Sequence, residues 1–269
     1  MLLRLSTRFA RRILALATLG TLLGLGCTPL RAADQNPTTI RIAIGEWPPY
    51  TSEKLNGYGF GAKLISEAFA AAGVKVTYVF YPWNRSLELA RRGSVEATGT
   101  WFESADRRAD FHLSEPLYDS AFLLYYLKEK AIDWQTIDDL KGLKVGATTG
   151  YFYGEAFAHA EKAGEITVIR ASSDETNLKN LLRGRLDAFP LDQQVAEYML
   201  ANDLPAADAA RIGSNAIAVH SRPQHLLISR KAANGEALTR LFNRGLATIR
   251  NNGVYERITK DATFSRAKP

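Results

Sequence analysis

Thr100-Trp101-Phe102-Glu103-Ser104-Ala105-Asp106-Arg107-Arg108 brings two arginines, two aromatic rings and two hydroxyls into one short stretch. An arginine presents a rigid, planar fork that fits a carboxylate with two parallel hydrogen bonds. The stretch follows Val95–Thr98, a short apolar run that reads as a buried strand. A loop just past a strand end is where open α/β sheets bind ligands. The competing reading is a solvated charged loop. A second candidate is Gly184-Arg185-Leu186-Asp187-Ala188-Phe189-Pro190-Leu191-Asp192. Asp192 stands at a predicted strand end, placed to meet a cation or to cap the helix that follows. Trp47, Tyr50, Trp83, Trp101 and Tyr151 form a third group, suited either to line a ligand pocket or to pack a core. Lys144–Glu155 reads as strand, turn and helix start, and such a start offers backbone N–H groups to an anion.

The elements that must position these residues alternate strand and helix. Thr39–Ile44 alternates apolar and polar residues as a strand. Trp47-Pro48-Pro49-Tyr50 is a stiff turn, since each proline fixes its own φ and restricts the residue before it. Leu64, Ile65, Ala68, Phe69 and Ala72 make a helical stripe closed by Gly73. A strand over Val74–Phe80 and a helix from Pro82 to Gly93 complete a βαβαβ half. Ala121–Lys128 leaves that half as a long strand. The pattern then restarts: strand Gly142–Ala147, helix Tyr151–Ala163, strand Ile166–Arg170. Ser172-Ser173-Asp174-Glu175 has the capping-box form and opens a helix through Leu182. The strand Asp187–Leu191 and the helix Gln193–Ala201 follow. Ile212–His220 and His225–Ser229 read as two strands, Gly235–Asn251 as an amphipathic helix, and the end as a short helical turn. The chain crosses between halves near Leu124–Lys128 and returns near Gln224–Ser229.

Composition narrows the function. The formal charge is +6, yet Arg4, Arg8, Arg11, Arg12 and Arg31 precede any acid, and the remainder holds 29 basic against 28 acidic residues. A body so nearly neutral has no footprint for phosphates, which argues against nucleic acid as a partner. The arginines from Arg4 to Arg12, the apolar run Ile13–Gly26 and the small residues after it form an export signal over 1–33, cleaved near Ala32 or Ala33. Arg11-Arg12 also fits a twin-arginine signal in part. Cys27 is the only cysteine, so no disulfide forms within one chain. Leu25-Gly26-Cys27 resembles the end of a lipobox, which makes Cys27 a lipid attachment point as an alternative to a cleaved soluble form. No metal-spaced cluster and no Ser-His-Asp pattern stands out, so no cofactor is expected.

Several of these motifs, in this order, resemble the bacterial extracellular solute-binding proteins of family 3, the polar-amino-acid class, from about Thr39 to Asp261. The carriers are Trp47-Pro48-Pro49-Tyr50, Ser104-Ala105-Asp106-Arg107, Leu113-Ser114-Glu115-Pro116, Gly184-Arg185-Leu186-Asp187-Ala188 with Asp192, and Leu238–Lys260 with Asn243, Gly253 and Tyr255. The resemblance implies an α/β, two-lobed periplasmic-binding-protein (Venus-flytrap) fold with two hinge crossings. Lobe 1 would hold 39–126 plus 226–269, and lobe 2 would hold 127–225. It implies a periplasmic monomer that captures a small polar or zwitterionic solute and delivers it to the membrane permease of an ABC importer. Arg107 would bind the ligand carboxylate and Asp192 its ammonium. Trp47, Tyr50, Trp101, Phe102, Ser104, Gly150 and Tyr151 would complete the ligand site. Gly61 replaces the family's usual aspartate, and Tyr151 its usual threonine, so the pocket should be bulkier and suited to a flat ligand. Two rivals are an enzyme on the same fold, resembling cyclohexadienyl dehydratase and acting through Glu46, Glu103 or His112, and a solute-sensing module.

Overall fold

The computed structural model describes residues 39–264. The signal over 1–33 and the lipid site at Cys27 lie outside the described residues. The strands are β1 Thr39–Ile44, β2 Lys75–Phe80, β3 Ala97–Phe102, β4 Phe111–Leu113, β5 Tyr118–Leu127, β6 Lys144–Thr148, β7 Thr167–Ala171, β8 Ala188–Asp192 and β9 Ile212–Ser229. The helices are α1 Phe60–Ala71, α2 Trp83–Arg91, α3 Ala105–Asp110, α4 Glu155–Ala163, α5 Asp174–Leu182, α6 Gln193–Asn202, α7 Ala206–Arg211, α8 Gly235–Asn251 and α9 Val254–Phe264.

The strands run in the order β2-β1-β3-β9-β5-β8-β6-β7, with β4 also on β9. β1 pairs in parallel with β2 and β3, and β6 in parallel with β7 and β8. Each half is therefore a small parallel sheet built from strand–helix–strand units, as the alternation predicts. Between them β5 and β9 run antiparallel, from Tyr118 opposite Gln224 to Leu127 opposite Ile212. β9 pairs with β3 from Gln224 onward, and β5 pairs with β8 from Phe122 onward. The change of partners falls at Asp119–Ala121 and Ser221–Pro223.

Several elements differ from the sequence expectation. Thr100-Trp101-Phe102 extends β3 rather than forming a loop, because Trp101 and Phe102 find partners in His225 and Gln224 across the ladder. Arg107 sits on the short helix α3, whose start is capped when the Ser104 hydroxyl accepts the Arg107 backbone N–H. The helix expected at Tyr151 begins at Glu155. β9 is one strand where two were expected, since Ser221–Pro223 keep pairing with β5.

The first half closes on α8. Leu238, Leu241, Phe242, Leu246 and Ile249 are buried along one face of it, facing α1, and the Phe69 and Phe242 rings meet at 4.8 Å. α9 is a full helix rather than a turn, and the Tyr255 hydroxyl ties it down by donating to the Leu117 carbonyl at 2.8 Å.

Candidate functional site

Three chain segments meet where the halves face each other: the end of β3 with α3, the Trp47–Tyr50 turn, and the turn after β6. Arg107 is the charged centre. It is only 7% exposed. One Nη1–H donates to the Phe102 carbonyl at 2.6 Å, and the guanidinium lies over the Trp101 ring, 4.6 Å from its centroid. Among the described residues no carboxylate forms an ion pair with it. Burial, with a smaller contribution from the Arg91 charge, pulls its pKa down to about 10. An unpaired buried cation is costly, and an anion beside it removes that cost.

Around the guanidinium lies a pocket with little free space, about 30 Å³. Its walls are mostly rings: Trp47, Trp83, Trp101 and Phe102 from the first half, Phe122 from β5, and Tyr151 and Phe152 from the turn after β6. Thr100 and Gln224 are the other non-aromatic polar residues of the lining. Trp47 stacks on Tyr50 at 4.5 Å, and Tyr50 stacks on Tyr118 at 4.9 Å. Tyr50 therefore offers no ring to a ligand; its hydroxyl turns to Asp192 instead. Gly61 fits this stack, because a Cβ there would stand 2.9 Å from the Tyr118 hydroxyl. The aspartate common at this place has no room here.

Asp192 is fully buried at the end of β8. Its Oδ1 accepts the Gln194 and Val195 N–H groups at 2.9 and 3.0 Å, which makes it the cap of α6. Its Oδ2 accepts the Ser120 hydroxyl at 2.5 Å and the Tyr50 hydroxyl at 3.2 Å. Four donors thus use the carboxylate from within the chain. Burial raises its pKa to about 6, against the pull of those bonds. A second buried carboxylate, Asp174 at the start of α5, accepts Thr148 Oγ1 at 2.5 Å and the Tyr151 hydroxyl at 3.3 Å. Burial, helped by the Asp192 charge, raises it to about 6 as well. The Trp47 indole N–H is close enough to hold Asp174 down slightly, yet it reaches hydrogen-bond distance of no acceptor.

The expected site residues thus divide. Arg107, Trp47, Trp101, Phe102 and Tyr151 line the pocket, and Tyr50 stands behind Trp47. Ser104 is a helix cap outside the lining. Gly150 also lies outside it, in a left-handed turn (φ 85°) so close to α2 that a Cβ would stand 1.9 Å from Asn84 Oδ1. The start of α4 lies against His220 at Gly154, outside the pocket lining. Glu46, Glu103 and His112 are outside it as well: Glu46 accepts the Glu53 N–H, Glu103 pairs with Arg108, and His112 lies beside Arg230. Sequence reasoning missed Phe122, Phe152, Asp174 and Gln224. Phe122 and Phe152 were legible only as aromatics near the start of an expected strand and of an expected helix. Gln224 gave no local signal.

Two parallel-sheet halves joined by two crossing strands, with a buried unpaired arginine in the cleft between them, define a two-lobed periplasmic-binding-protein fold. The chain belongs to the bacterial extracellular solute-binding proteins, family 3, whose pattern matches residues 40–263. It is 25% identical, over 229 residues, to the lysine/arginine/ornithine-binding periplasmic protein of Escherichia coli (strain K12), covering 83% of this chain and 87% of that one. Among solved structures it resembles a histidine kinase sensor domain with similarity to periplasmic binding proteins (TM-score 0.74, 18% identity, 84% of this chain and 96% of that one). It also resembles an ancestral arginine-binding protein bound to arginine (TM-score 0.70, 20% identity, 83% and 97%). These two likenesses show the fold.

Proposed function

We propose that this protein is a periplasmic carrier of a small amino-acid-like solute, held carboxylate-first by Arg107 and passed to the permease of an ABC importer. The observation that carries the reading is the Arg107 guanidinium, buried in an aromatic pocket with no ion-pair partner among the described residues. Trp101 and Phe102 fix its direction, and Ser104 fixes the helix that bears it. Trp47 and Tyr151 form opposing walls, with Tyr50 and Asp192 bracing one wall against the other. Gly150 lets the turn after β6 approach α2. The two lobes, 39–126 with 226–269 and 127–225, pivot where β5 and β9 change partners, upstream of the 126/127 boundary. The solute shifts the population toward closure because only the closed form completes its contacts. The protein works in the periplasm as a monomer, either as the cleaved chain or anchored through lipid on Cys27. It binds without turnover and needs no cofactor; the acids on which an enzymatic reading rested, Glu46, Glu103 and His112, are not in the pocket.

Calorimetry on Arg107→Ala tests this. Removing one partner of a desolvated charge pair costs roughly 2–5 kcal/mol, so amino-acid affinity should fall beyond detection while the protein stays folded. Arg108→Ala is the control. Its side chain is 63% exposed and pairs with Glu103 at the surface, a contact worth about 0–1 kcal/mol. Near wild-type affinity in Arg107→Ala, or loss only in Arg108→Ala, contradicts the assignment.

A further inference from the structure

Asp192 has four protein donors on its two oxygens and does not line the pocket. A ligand ammonium placed there would have to displace Tyr50 and Ser120 first. The pocket holds another acceptor. Gln224 is 2% exposed, lines the pocket with Arg107, and its side-chain oxygen has no hydrogen-bond partner. Buried amide oxygens without a donor are uncommon and call for an explanation. Its position is fixed on both sides. Gln224 stands opposite Phe102 on β3 and opposite Tyr118 on β5, and its backbone oxygen accepts the Leu117 N–H at 2.8 Å. Directly opposed residues of antiparallel strands share a face of the sheet. Gln224 thus shares a face with Phe102, which is itself a pocket wall.

The other unpartnered buried atoms of the pocket are donors or hydroxyls. Thr100 Oγ1 and Trp47 Nε1 also lack partners; Thr100 lies near the Tyr118 hydroxyl, which is itself unpartnered. With the Arg107 guanidinium they suit the oxygens of a carboxylate. Gln224 Oε1 alone among these orphaned atoms can only accept, so it suits an N–H of the same ligand.

We propose that Gln224, and not Asp192, receives the ligand's α-ammonium in this protein, while Asp192 spends its charge bracing β8 against Tyr50 and Ser120. The inference rests on the amino-acid reading above and sharpens it. The site reads the amine with a neutral carbonyl and neighbouring ring faces, to which a cation is attracted. Amine recognition is then a matter of hydrogen-bond geometry at the crossing of β9, on the strand about which the lobes pivot.

Matched ligand pairs test it by calorimetry: L-phenylalanine against 3-phenylpropionate, and L-arginine against 5-guanidinopentanoate. The wild type should prefer the amine of at least one pair tenfold or more. Gln224→Met should bring that preference below about twofold while keeping the des-amino acid's affinity. Gln224→Asn, which shortens the reach of the amide, should show the same loss and serves if the methionine variant does not fold. Asp192→Asn should weaken both members of a pair and keep the preference. A preserved preference in the folded Gln224 variant, or its loss in Asp192→Asn, overturns the proposal. So does a wild type that binds amine and des-amino acid alike, which leaves the carboxylate reading standing. A wild type that binds neither member of either pair overturns the proposal together with the amino-acid reading on which it rests.

Discussion

Asp192 loses its proton less readily here than in water, and this sets a pH signature at the scale of a single residue. Burial raises its pKa from 3.8 to about 6, although Ser120, Val195, Tyr50 and Gln194 all favour the charged form. A carboxylate that binds its proton more tightly folded than unfolded contributes stability that is fully present below the unfolded value. That stability is lost as pH rises through the folded value. The window therefore runs from about 3.8 to about 6. Asp192→Asn removes the titration and keeps the cap, because asparagine caps as well as aspartate. The melting temperature of the wild type, measured relative to that variant, should fall between pH 4 and pH 7. The change is on the order of 3 kcal/mol at most. His220 titrates in the opposite sense, since burial and Arg222 lower it to about 4, but it is present in both proteins and cancels in the difference; Asp174 titrates in the same sense as Asp192, and loss of the Asp192 charge lowers it in the variant. A flat difference across the window would mean that Asp192 ionises freely and is not buried as described.

At the scale of elements, α8 packs closely on α1. A Cβ at Gly245 would stand 1.8 Å from the Ala68 backbone oxygen. Alanine is better than glycine in an isolated helix by about 1 kcal/mol, but here the neighbour is backbone and cannot rotate away. Overpacking of this kind costs typically ~1–3 kcal/mol. Urea denaturation of Gly245→Ala should show a net loss of stability; a gain would mean that the helices separate without penalty. The same element shows what a single sequence reveals. Its stripe of Leu238, Leu241, Phe242 and Leu246 has helical spacing and fixes both its limits and its buried face. β1 is as legible, because its pattern and both its ends are local. Thr100–Phe102 was not, since its extension depends on partners from the far end of the chain. Gln224 was hidden for the same reason: its neighbours Phe102 and Tyr118 come from other strands. Arg107 was legible by type and spacing, whereas its cover by Trp101 needed the fold. Asp174 showed only as part of a capping sequence; its burial against Thr148 and Tyr151 is tertiary.

Across the whole molecule, the alternation of strand and helix made readable two halves and two crossings between them, but not that β9 runs as one strand through its crossing. The ribbon that joins them is β9 against β5, so the halves share a framework. The rings of that cleft lie against one another and leave little free space. On the carrier reading proposed above, a solute enters as the halves part, and its binding free energy then appears as stability of the whole fold. That stabilisation follows RT ln(1 + [L]/Kd), about 4 kcal/mol at a thousandfold excess over Kd. For a chain of this size each kcal/mol moves the melting temperature by about 2–4 °C. The most direct test is thus a thermal-unfolding series of the wild type with each L-amino acid at millimolar concentration. At least one amino acid should raise the melting temperature by roughly 8–16 °C if it binds with micromolar Kd, and Arg107→Ala should abolish the rise. No rise with any amino acid, or an equal rise in Arg107→Ala, would contradict a carboxylate-first amino-acid carrier.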